Sequence, residues 1–223
     1  MFNQAIGFAQ HRLRHGAILG TISHAVWVAR NPLLAAMQSW DGRNYLLNNM
    51  SGTTGAITFE ASNLVAVFFD AKSPRSPFLS GEPYNIDYCL EGMPTGLLEV
   101  AKSEALQYML QEYEGKPIPI ITAAIWSVGE TLAAIEPWEN VRENGGHIIR
   151  IQLEFDDEPA LAEWKNDLSL SDSQVELVRA IYRRKLSSGR HRMALSPAEV
   201  VTLAPAGGES RCRDILGSIG IDF

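Results

Sequence analysis

The stretch RNYLLNNMSGTTGAITFEASNLVAVFFD, from Arg43 to Asp70, constrains the fold more than any other part of the chain. Leu64, Val65, Ala66, Val67, Phe68 and Phe69 follow one another without a polar residue. A strand shows alternate side chains to opposite faces, so such a run needs cover on both and belongs in the middle of a sheet. Ahead of it, Ile57 and Phe59 alternate with Thr58 and Glu60, the pattern of a strand with one dry and one wet face. Ala61, Ser62 and Asn63 connect the two, with Asn63 suited to the left-handed position of a three-residue hairpin loop. An earlier apolar run from Tyr45 to Asn48 closes on the polar, glycine-bearing segment that reaches Gly55. Within that segment SGTTG has only the composition of an anion-cradling loop. It leads into a strand rather than a helix and lacks the lysine, so it reads as a turn.

Three successive strands with helical patterns around them predict an α+β fold, with a mixed or antiparallel sheet built on a meander over about 43–70. From His147 to Phe155, HIIRIQLEF puts Ile149, Ile151, Leu153 and Phe155 on one face and Arg150, Gln152 and Glu154 on the other. This alternation predicts a later strand over 147–155 that joins the sheet.

Elsewhere the spacing is helical. One or two helices are predicted between Asn3 and Ala29, and a helix start at Asn31 and Pro32 that turns Leu33, Leu34 and Met37 inward. An amphipathic helix is predicted from Gly96 to Tyr113, ended by Gly115 and Pro117. Ile118 to Ile125 is apolar with Pro119 inside, which suits an edge strand, and Val128 to Ile135 reads as helical. Beyond Asp156 the chain is predicted to be helical. Ser171 with Gln174 and Ser196 with Glu199 have capping-box spacing, and Pro197 occupies a first-turn position. A last helix is predicted from Glu209 to about Ser218. These elements are read as one α+β domain over 1–223, with a helical C-terminal subregion over 157–223.

One internal echo is present. AVWVARNPLLAAMQSW from Ala25 and AIWSVGETLAAIEPW from Ala124 share Trp, Leu-Ala-Ala and Trp at offsets of 98 to 99; so short a match of common apolar types arises readily by chance, and a duplicated segment is the alternative.

Composition bounds the function classes. A 46% hydrophobic content over 223 residues suffices for a buried core. The formal charge of −7 argues against general binding to nucleic acid or anionic membranes. Charge is uneven, with 11 basic against 20 acidic residues up to Leu170, and 8 against 6 from Ser171 onward. Cys89 and Cys212 have no zinc or redox spacing, which fits a reducing, cytoplasmic setting. The apolar run from Ala17 to Val28 is interrupted by His24 and is shorter than the roughly 20 residues of a membrane helix, so no membrane association is expected. It also lacks a clear cleavage site, so no secretory signal is expected there.

No catalytic or cofactor motif emerges. His11 and His15 are four apart but lack the acid of a catalytic zinc helix and sit beside Arg12 and Arg14, so no metal is expected. No G-x-S-x-G elbow is present, and Cys89 beside Asp87 and Tyr88 would need a histidine brought from afar. No cofactor is expected, and the reading leans away from an enzyme.

Asp70, Ser73, Arg75 and Ser76 gather polar groups just past the end of the most apolar strand. Loops at strand ends are common ligand sites, and Arg75 offers a fork for a carboxylate or phosphate. The leading expectation is therefore a non-enzymatic cytoplasmic binding or regulatory protein that recognises a protein or small ligand through this loop. One alternative is a ligand-sensing regulator that binds nucleic acid through Arg179, Arg183, Arg184, Arg190 and Arg192 on basic C-terminal helices. Another is an enzyme assembled from distant residues such as Glu60, Asp70, Cys89 and His147.

Overall fold

The computed structural model describes residues 4–81, 83–189, 191–204 and 208–223. The chain divides into two compact units that alternate along it, one of Met1–His11 with Arg43–Arg150, the other of Arg12–Gly42 with Ile151–Phe223.

Six strands of the first unit form an antiparallel sheet in the order Gln4–Ala9, Thr131–Ala134, Ala123–Val128, Asn63–Asp70, Thr53–Glu60 and Asn44–Asn48. The predicted meander is present, and its most apolar strand is internal, with a partner strand on each side. Leu64 to Phe69 are all buried. On one side Val65, Val67 and Phe69 pack with Leu97, Ala101, Leu106 and Met109, which lie on the helix Thr95–Ser103 and the 3-10 turn Ala105–Met109. The turn before Thr53 is organised by asparagine side chains: Asn48 Oδ1 accepts from Met50 N, and Asn49 Oδ1 accepts from Ser51 N and Thr53 N.

Several local expectations change. Glu60 pairs directly with Asn63, which leaves only Ala61 and Ser62 for the hairpin turn and puts Ala61, not Asn63, at positive φ of 42°. The amphipathic helix from Gly96 stops at Ser103, and Leu110–Tyr113 instead pairs with Lys116–Pro119 as a two-stranded hairpin. Ala123–Val128 is an internal strand, and Thr131–Ala134 is its hairpin partner rather than a helix. Gln4–Ala9 is a strand that leads into the helix Gln10–Val28. Leu33 does not face inward but is 91% exposed. The internal echo is no structural repeat: Ala25–Val28 is helix where Ala124–Val128 is strand.

The predicted strand over 147–155 is not formed. Gly146–Ile149 is a 3-10 turn that runs into the helix Arg150–Glu154. The alternating pattern also satisfies a four-residue repeat, and Ile149 and Leu153, four apart, are both fully buried. Gly145 starts the turn at φ 116°, where a Cβ would meet Phe68 Cβ at 3.0 Å, so this close approach needs glycine.

The second unit is helical: Gln10–Val28 from Arg12 onward, Asp157–Asp167, Asp172–Ser188, Pro197–Leu203 and Glu209–Ser218. Leu19, Ile22, Val26, Leu161, Trp164, Val178, Ile181, Leu203 and Leu216 make its core. Both predicted capping boxes are formed, at Ser171 with Gln174 and at Ser196 with Glu199. Gly16 lies against the Gln152 backbone, where a Cβ would come within 2.1 Å of the carbonyl oxygen. No helix among the described residues is long and apolar enough to cross a membrane.

Candidate functional site

Antiparallel pairing brings three strand ends together at one end of the sheet: the exit of Asn63–Asp70, the entrance of Ala123–Val128 and the exit of Thr131–Ala134. The loop after Asp70 is bound to the other two. Asp70 N donates to Thr122 Oγ1 at 3.0 Å, and Thr122 Oγ1 donates to Asn144 O at 2.6 Å. Asp70 Oδ1 accepts from Lys72 N at 2.9 Å, which turns the chain back. Ser73 Oγ accepts from Arg75 N at 3.1 Å and donates to Asn144 Oδ1 at 2.5 Å. Ser73 and Ser76 are buried, so this is no loose surface loop. Ser76 Oγ has no hydrogen-bond partner among the described residues.

Arg75 does have its carboxylate, and that carboxylate is internal. Nη1 and Nη2 donate to the two oxygens of Glu136 at 2.5 and 2.6 Å, and Nη1 also reaches Thr122 O at 3.2 Å. The Glu136 side chain is 8% exposed and that of Arg75 24%. The bond to Glu136 raises the Arg75 pKa further above its ordinary value, against the opposing effect of burial, so the guanidinium stays charged. Its Cζ lies over the Tyr88 ring, 5.2 Å from the centroid.

Beside this pair is a cleft of about 230 Å³, lined by Pro74, Arg75, Pro77, Pro83, Tyr84, Tyr88, Cys89 and Ile121, with Ser80 and Asn85. Tyr84 is tied at its hydroxyl, which accepts from Ile121 N at 2.7 Å and donates to Ile121 O at 3.2 Å. Burial raises the Tyr84 pKa, so it stays a phenol. Burial likewise pushes the Cys89 thiol up to about 12, with nearby Arg75 opposing, which leaves it protonated and unreactive at neutral pH. Edge-to-face aromatic contacts run on from Tyr84 to Tyr113, Phe78 and Phe69, with centroids 6.1 to 6.4 Å apart.

Asp70 and His147, suspected as distant partners, do meet. His147 Nδ1 lies 4.0 Å from Asp70 Oδ2 and 3.2 Å from Arg142 O, and Nε2 lies 3.3 Å from Thr53 Oγ1. The Arg142 carbonyl can only accept, so Nδ1 carries a hydrogen, and Nε2 is within hydrogen-bond distance of the Thr53 hydroxyl. The other two residues of that enzyme reading are elsewhere. Cys89 lines the cleft without a histidine among its described lining, and Glu60 pairs with Arg43 at the opposite end of its strand from Thr53. No group of three or more His, Cys, Asp or Glu among the described residues could hold a metal ion.

The basic C-terminal arginines are compensated. Arg179 pairs with Glu158 and Glu176, Arg183 with Glu158, Arg184 with Glu199, and Arg192 with Asp222. Arg190 lies outside the described residues.

The structure brings Asp70, Ser73 and Arg75 of the expected loop together with Thr122, Glu136 and Asn144, which, like Tyr84, carry no motif in the sequence that marks them. The only local signal for Glu136 is a lone acid between Ile135 and Pro137. Comparison with protein families, curated proteins and solved structures finds no match for this chain.

Proposed function

We propose that this is a non-enzymatic, cytoplasmic binding or regulatory protein whose recognition site is the cleft beside Arg75. The observation that carries this reading is a concave, mostly apolar surface held by rigid partners at the end of an internal strand. Such concavities, with a few fixed polar groups, are the usual form of small-ligand sites. The locked Arg75–Glu136 pair and the tethered Tyr84 hydroxyl give the cleft a preformed wall, which lowers the ordering cost of binding. Against chemistry here stands the protonated Cys89 thiol. The nucleic-acid reading is weakened by the acids that face Arg179, Arg183, Arg184 and Arg192, since cations already paired release fewer counterions from a phosphate backbone.

The test is an NMR fragment titration followed residue by residue. Shifts are expected to cluster at Arg75, Tyr84, Tyr88 and Cys89 and to vanish in Tyr88→Ala. The exposed Tyr88 ring can be removed at little cost to folding. Shifts concentrated elsewhere, or unaffected by that substitution, would defeat the assignment.

A further inference from the structure

The cleft also carries information on the kind of molecule it takes, and this step rests on the reading of it as a binding site. Arg75 is the one charged side chain among its described lining residues, and both carboxylate oxygens of Glu136 face its guanidinium. The positive charge is therefore cancelled within the protein, not offered to a ligand. The Tyr84 hydroxyl is used on both sides by Ile121, and the Cys89 thiol points to Ile121 O at 3.9 Å. What remains for an occupant is mainly apolar: proline rings, the Ile121 side chain and the Tyr88 ring, which is 48% exposed and backed by Arg75 on one face, with Ser80, Asn85 and the Tyr88 hydroxyl as neutral polar groups beside them. A charged group placed there would lose water and find no uncompensated opposite charge among the described lining residues. Planar rings, in contrast, stack well on an aromatic face. Size points the same way. An apolar cavity of about 150 Å³ accepts benzene, and this cleft of about 230 Å³ is half as large again.

We infer that the cleft binds a free, uncharged aromatic molecule of one or two rings, seated against Tyr88 over the neutralised Arg75–Glu136 pair.

Titration with indole, phenol, benzoate and benzylamine, read by calorimetry and by chemical shifts at Tyr88 and Cys89, tests this. The neutral pair is expected to bind at least ~10-fold more tightly than either ion, the least that burying an unpartnered charge should cost. Glu136→Gln, which leaves Arg75 uncompensated, is expected to raise benzoate affinity ~10-fold while indole changes little. Benzoate equal to or tighter than indole on the unmodified protein would overturn the ligand class while leaving the site in place. N-acetyltryptophanamide tighter than indole would overturn it in favour of a partner's side chain. Absence of shifts at Tyr88 and Cys89 with every probe would overturn both this inference and the site. The comparison of probes on the unmodified protein stands even if Glu136→Gln folds poorly.

Discussion

Two arginines of this protein grip a glutamate with both arms of the fork, and they are not equivalent. Arg75 holds Glu136, whose side chain is 8% exposed, while Arg179 holds Glu158, whose side chain is 55% exposed. The bonds are alike, at 2.5 and 2.6 Å in the first and 2.8 and 2.7 Å in the second. The surroundings differ. At Glu158 water replaces any lost partner, and the pair yields the small net gain of a surface ion pair. At Glu136 the carboxylate has given up its water, so each partner depends on the other. Near-identical geometry thus makes a wall of a cleft in one place and a solvated helix face in the other.

The largest effect that would break this contrast is Glu136→Ala. Removing one member of a fully buried pair costs about 3–5 kcal/mol, and because the Arg75 left behind is 24% exposed the loss is expected toward the lower end of that range, measured as the shift in urea unfolding. A loss below about 1 kcal/mol would place the pair with surface ion pairs. A buried titratable group in the helical unit, His24, sharpens the comparison because no charged group among the described residues partners it. It is 1% exposed, bonded to the backbone at Ala35, with Nε2 unpartnered among the described residues. Burial lowers its pKa from 6.5 to about 4. The unfolded chain therefore takes up this proton first. The stabilisation is full above pH 6.5 and is lost as the pH falls through about 4, on the order of 3 kcal/mol in total. Unfolding followed from pH 7 to pH 4 should show this slope in the natural chain and its loss in His24→Phe; equal slopes would refute it. The smallest effect is expected at Glu158→Gln, below about 1 kcal/mol and reduced further by salt. A salt-insensitive loss larger than that would show that Arg179 also works in a dry setting.

Legibility in the sequence followed the range of the interaction. Ser171 with Gln174 and Ser196 with Glu199 were readable because each capping box closes within four residues. Leu64 to Phe69 were readable because a run with no polar residue has few places to go. The segment 147–155 misled because its spacing fits period 2 and a four-residue repeat alike. The helical choice came with the close approach of Gly145 to Phe68. Of the site, Arg75 was visible as a donor fork, but its occupant was not, for Glu136 is 61 positions away and bears no local mark.

By itself, then, the sequence determined the meander from Arg43 to Asp70, the helical C-terminal region and its caps, all set by local propensity and by the need to bury apolar runs. Tertiary structure alone decided that the Ser-Pro-Arg loop turns inward, that Arg75 is answered by Glu136, and that Tyr84, Tyr88 and Cys89 line a neutral cleft. These follow from antiparallel pairing, which carries residues far apart in the chain to one end of a sheet, where burial sets the strength of what they form.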